Sequence, residues 1–133
     1  MITNRHKSRI TQTTTFPSDT NPAEIMQGMS DNKRLLASKN AEYLRYNQQW
    51  ADAKEAYAVA LKQKLLALRA KGEPVSLAKD LARGDRNVAQ LEKHMIVAEG
   101  IMKACKESME DIRSDQDGLR SLLSWLKAEM QSQ

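Results

Sequence analysis

The fold of this chain is decided by one stretch, Val88 to Met130, which reads VAQLEKHMIVAEGIMKACKESMEDIRSDQDGLRSLLSWLKAEM. Alternating steps of three and four residues through it land on Val88, Leu91, Met95, Ala98, Met102, Cys105, Met109, Ile112, Gln116, Leu119, Leu123, Leu126 and Met130. Only Gln116 in that series is polar. A three-four alternation sustained without a break is the seam of a coiled coil, in which one narrow apolar stripe faces a partner helix. With about 1.5 Å of rise per residue, the helix it predicts is about 65 Å long.

Upstream, Lys33 to Lys71 carries a second long helical pattern. Leu36, Tyr43, Trp50 and Tyr57 recur every seven residues, with Tyr46, Ala53 and Ala60 three further on. Lys39 and Lys64 interrupt the series, and the stripe moves on to Leu61, Leu65 and Leu68, as the drift of a nearly straight helix requires. Gly72 reads as the C-terminal stop, with Pro74 beyond it. Ser76 is placed to cap a short helix over 77–83 ending at Gly84, with Leu77, Leu81 and Val75 plugging the end of the bundle, and Asp85 then caps the Val88 helix. Earlier still, Asn21-Pro22-Ala23-Glu24 is a helix start. Gly28 and the run Ser30-Asp31-Asn32 predict a kink or a fresh cap there, so the second long helix is expected over about 33–71 and the last over about 86–130.

Two long helices joined by a short corner must run antiparallel to meet along their stripes. The expected fold is therefore all-α, a long antiparallel helical hairpin with a corner helix. Residues 1–20, rich in Thr, Ser, Arg and Lys and without a period, read as a flexible basic arm, and 21–133 as the hairpin domain. A composition of 41% hydrophobic and 29% charged residues, with only 5 Gly and 3 Pro, fits a helical domain and disfavours turn-rich β folds. Beside its seam the last helix carries Ile96, Val97, Ile101, Leu122 and Trp125, which a lone hairpin leaves wet. Self-association follows as an expectation, most simply a dimer, with Ile101, Leu122 and Trp125 at the interface. Gln116, the polar residue on the seam, is expected to fix register or oligomer state.

Residues for chemistry are sparse. His6 and His94 belong to no metal-binding spacing, Cys105 sits on the seam without a neighbouring histidine, and Gly72 and Gly84 are helix stops rather than a phosphate loop. The acids Glu107, Glu110, Asp111, Asp115 and Asp117 read as a solvated face. Tyr43, Tyr46, Trp50 and Tyr57 share one helix stripe, the pattern of packing rather than of base stacking. No catalytic residue, metal or cofactor is expected. No apolar run approaches the roughly 20 residues that span a bilayer, and the N-terminus lacks a secretory signal's apolar core, so the expected setting is cytoplasmic.

The net charge of +4 is uneven: +3 over 1–18, −1 over 19–61, +4 over 62–93 and −2 over 94–133. Arg5, Lys7 and Arg9 of the arm and Lys71, Lys79, Arg83 and Arg86 of the corner are the candidate contacts to nucleic acid or an acidic partner. A helix-turn-helix across 77–94 fits poorly, because Asp80 stands where that motif wants a small residue and Gln90 where it wants a buried aliphatic.

The corner segment LLALRAKGEPVSLAKDLARGD, followed by a helix closing in LRSLLSWLKAEM, resembles small all-helical bacteriophage and prophage proteins, often encoded among early replication and recombination genes. The likeness covers about residues 42–130. It implies a non-enzymatic accessory factor that assists DNA recombination or replication, with a phage or host DNA-metabolism protein as partner, and it supplies no catalytic residues. The alternatives are a nucleic-acid binder of low sequence specificity and an inhibitor of a host enzyme.

Overall fold

The computed structural model describes residues 21–132, which form three α-helices: α1 (Pro22–Ala70, 49 residues), α2 (Val75–Gly84, 10 residues) and α3 (Arg86–Ser132, 47 residues). The chain is all-α, as expected, and α1 packs antiparallel on α3. The basic arm expected at 1–20 lies outside the described residues.

Local chemistry sets the helix ends. The Asn21 side-chain oxygen accepts the Glu24 N–H at 3.0 Å, so Asn21 caps α1 and Pro22 takes the first helical position, where its missing N–H costs nothing. At the other end Gly72 has φ of 94°, and the Gly72 and Glu73 amides donate to the Arg69 and Leu68 carbonyls at 3.0 and 3.2 Å. That is the paired-bond stop that a left-handed glycine makes possible. Asp85 alone separates α2 from α3, and its carboxylate accepts the Val88 N–H at 3.2 Å.

Two expectations fail here. No break occurs at Gly28 to Asn32, so α1 begins at Pro22 rather than near 33. The residues that signalled a break are otherwise occupied. Asp31 is held by Gln27 and Arg34, Asn32 donates to Asp115 at 2.6 Å, and a Cβ on Gly28 would lie 3.4 Å from Leu119 Cδ1. Side chains engaged this way no longer compete for the helix backbone, and Gly28 faces Leu119 with room for ordinary contact. Ser76 is not the cap of α2 either. The helix starts at Val75 behind Pro74, and the Pro74 carbonyl accepts the Ala78 N–H at 2.8 Å.

The described residues divide into two compact units, one of 21–37 with 110–132 and one of Ser38–Met109. In the first, Gly28 faces Leu119, Met29 faces Gln116 and Asn32 faces Asp115. In the second, the Lys39 carbonyl lies 3.5 Å from Cys105 Sγ, and Lys64 pairs with Asp85 at 3.5 Å. In each, numbers rise on α1 as they fall on α3, the mark of antiparallel packing.

The three-four series of α3 is its buried face. Val88, Met102, Cys105, Met109 and Gln116 are buried, and Leu91, Met95, Ala98, Ile112, Leu119, Leu123 and Leu126 are half-buried. Met130, the last of the series, is exposed. On α1 the matching face runs from buried Ile25 through half-buried Leu36, Tyr43, Tyr46, Trp50, Ala53 and Tyr57 to Leu61, Leu65 and Leu68. Lys39 and Lys64 belong to that face rather than interrupting it: both are half-buried, and each holds a carboxylate, Glu42 at 3.4 Å and Asp85 at 3.5 Å.

Candidate interaction surfaces

Polar groups flank the α1–α3 contact in the unit Ser38–Met109. Glu92 of α3, together with burial, raises the Tyr57 phenol above its ordinary value, against a smaller opposing pull from Arg83. Within α3, Lys103 ion-pairs Glu99 at 2.6 Å and holds that carboxyl down, helped by Lys54 of α1. Lys54 also lies over the Trp50 ring, 5.3 Å from its centroid. The Trp50 N–H itself is buried without an acceptor at bonding distance. This aromatic row is half-buried on the face of α1 that meets α3 and is framed by charge, in line with the packing its spacing predicted.

The corner is a different environment. Lys71, Lys79, Arg83 and Arg86 are all exposed, and none of them is in an ion pair among the described residues. Three acids, Glu73, Asp80 and Asp85, lie between them in sequence, and Asp85 is already committed: the Val88 amide and Lys64 hold its carboxyl below the usual range. The corner 71–86 thus carries four cations against three acids, with the four cations free of ion pairs among the described residues. Arg5, Lys7 and Arg9, the other cations expected to join it, lie outside the described residues.

On the corner helix the structure reverses the expected orientation. Leu77, Leu81 and Val75 do not plug the bundle. They are 46%, 44% and 49% exposed, whereas Ala78 and Ala82 are fully buried. Alanine on the inner line lets the α2 backbone approach closely, and the leucines one position away then point outward. Hydrophobicity alone could not reveal this, because both lines of α2 are apolar.

A second surface runs beside the α3 seam. Ile101, Val97 and Trp125 are about half exposed, and Leu122 is half-buried. Val97 and Ile101, four residues apart, lie beside the α3 stripe in the unit Ser38–Met109, and Leu122 and Trp125, three apart, lie beside it in the other unit. Within the unit Ser38–Met109, Val59 and Leu66 of α1 are exposed as well.

The third place is Gln116, 7% exposed on the seam of the other unit. Its amide nitrogen donates to the Met29 carbonyl at 3.1 Å, which fixes the amide's orientation, and its Oε1 is left buried without a partner. A surface cavity of about 440 Å³ opens beside it, with Leu36 and Ile112 as apolar wall and Lys33, Arg113 and Arg120 at the rim. Arg120 pairs with Asp117 at 3.0 Å. Lys33 and Arg113 were not singled out in the sequence; only their distance from Gln116 in helical turns would have found them.

Among the described residues no group of three or more His, Cys, Asp or Glu side chains is placed to hold a metal, and no helix is long and apolar enough to cross a membrane. No protein-family model, no curated protein and no solved structure matches the chain.

Proposed function

We propose that the chain is a non-enzymatic interaction factor, cytoplasmic, that pairs with a second copy of itself through the flank of its hairpin and uses the corner to meet other macromolecules. The observation that carries this reading is the pair Val97 and Ile101 beside the α3 seam, each about half exposed, with further exposed aliphatic side chains such as Val59 and Leu66 on α1. A two-helix layer buries one stripe per helix and has nothing with which to cover a second. Each half-exposed aliphatic residue covered by a partner would contribute roughly 1 kcal/mol, so a symmetric pairing that doubles the set supports a stable dimer. The resemblance to phage-encoded helical proteins implies, for such a factor, a role beside DNA recombination or replication, with a phage or host protein of that machinery as its partner.

Sedimentation at micromolar concentration tests it. The expected species is a dimer, and Ile101→Glu is expected to return it to monomer with its helical circular dichroism intact. A wild-type monomer across the micromolar range would refute the self-association.

A second reading, direct binding of nucleic acid with low sequence specificity, is favoured by the unpaired cations of the corner. Binding to single- and double-stranded DNA at two salt concentrations distinguishes it. Affinity that falls steeply with salt and is lost on replacing Lys71, Lys79 and Arg83 by Glu supports it, while absence of binding at low salt excludes it. Inhibition of a host enzyme would use the same corner, and no feature of the surface singles it out.

A further inference from the structure

Behind its buried seam, α3 carries a second series at seam spacing, within the unit Ser38–Met109 and exposed throughout: Lys93, Val97, Gly100, Ala104 and Glu107. At about 3.6 residues per turn these five fall within about 80° of arc, turned away from Met95, Met102 and Met109 of the seam. The middle of this outer stripe is small or apolar. Val97 is 51% exposed, and Ile96 and Ile101 on its two borders are 58% and 45% exposed. A Cβ on Gly100 would meet nothing within 4 Å, so the space above the centre is open. The ends carry opposite charge. Lys93 stands as far before Gly100 as Glu107 stands after it, and neither is in an ion pair among the described residues. Of the charged residues between them, Glu99 and Lys103 are paired with each other at 2.6 Å, and helical spacing puts Lys106 on the side of α3 opposite Val97.

We infer that this outer stripe of α3 docks antiparallel on the same stripe of a second copy, with the two-fold axis passing at Gly100. Such a pairing sets residues equally distant from Gly100, one before it and one after, opposite each other. Lys93 of each copy then meets Glu107 of the other at both ends, Ile101 meets its own counterpart at the axis, and Val97 packs beside Ala104, while the small residues let the two helices come close. A parallel copy would stack Lys93 on Lys93 and Glu107 on Glu107. A nucleic acid answers Lys93 but is repelled by Glu107, and a helix of uniform charge matches one end only. The charge pattern is complementary to itself reversed, which is the property an isologous contact requires. The inference rests on the reading of the chain as self-associating, and fixes which face pairs and in which direction. It sends the two corners to opposite ends, with the two copies of Arg86 about 40 Å apart along the helix axes.

Sedimentation of charge-reversed chains tests it. Lys93→Glu alone and Glu107→Lys alone, both at exposed positions, should each raise the dimer dissociation constant about tenfold, because two pairs turn from attraction to repulsion at once. An equimolar mixture of the two variants, and the chain carrying both reversals, should dimerise as wild type does. Spin labels on Arg86→Cys, in a Cys105→Ala background, should report an interchain distance of about 40 Å. If a reversal disturbs folding, as read by helical circular dichroism, the label distance decides alone. Wild-type dimers that neither reversal weakens, or labels close enough together for a parallel pair, would overturn this docking mode and leave the self-association standing. A wild type that stays monomeric would overturn both.

Discussion

Gln116 occupies a position at which every other member of its series is apolar, and it is the only buried polar residue of the described fold. Its amide spends one hydrogen bond on the Met29 carbonyl and leaves Oε1 with none. An unsatisfied buried acceptor costs about 1–3 kcal/mol, so Gln116→Leu should raise stability toward urea by an amount in that range. A fall of similar size would mean that the bond to Met29 outweighs the orphaned oxygen. The seam position of Gln116 was legible in the sequence because a three-four series exposes any exception. Its partner was not, since a backbone carbonyl in another helix leaves no trace in residue type. Glycines divide in the same way. A Cβ on Gly100 or Gly118 would meet nothing within 4 Å, whereas Gly72 has φ of 94°. Replacing either of the first two by Ala should therefore stabilise by about 1 kcal/mol, and Gly72→Ala should destabilise by roughly as much. Thermal melts of the three variants would check both signs.

At the scale of elements, the long helices were legible because a stripe repeated over many turns averages out local noise. The break expected at Gly28 to Asn32 was read from residues whose competing preferences are absorbed by partners far away in sequence, Leu119 and Asp115 among them. Helix α2 was predicted as a helix but with the wrong side inward, because in ten residues two apolar lines compete and only the facing surface decides between them. Its orientation has a measurable consequence. Ala78→Leu or Ala82→Leu, although more hydrophobic, should lose about 1–3 kcal/mol through overpacking, as read by denaturant titration, while Leu77→Ser or Leu81→Ser, at half-exposed positions, should cost less.

For the molecule as a whole, acid is the sensitive direction. The fold holds the carboxyls of Asp31, through Gln27 and Arg34, of Asp85, through the Val88 amide and Lys64, and of Glu99, through Lys103, below their ordinary values. The unfolded chain therefore takes up these protons first as pH falls. Their contribution is present above the ordinary carboxylate range and is lost as pH drops through the depressed values. Denaturation midpoints should fall along that acid limb. Asp85→Asn, which keeps a cap acceptor but no charge, should show a shallower limb than wild type, and Asp85→Ala should be weaker at every pH. Tyr57 acts with the opposite sign, since its raised phenol favours the folded state until pH climbs through that value.

The buried series Met102, Cys105 and Met109 has a consequence for how the protein ages. Its middle and ends are sulfur, so peroxide that reaches this layer converts thioether to sulfoxide, a polar group that the stripe cannot take back. Met26 and Met130 are more than half exposed and should oxidise first with little change in structure. Met102 and Met109 should react only when α1 and α3 part. The rate at which they gain oxygen, followed by mass spectrometry, is then a clock for opening of the hairpin under native conditions, and each tick persists until a reductase removes the oxygen.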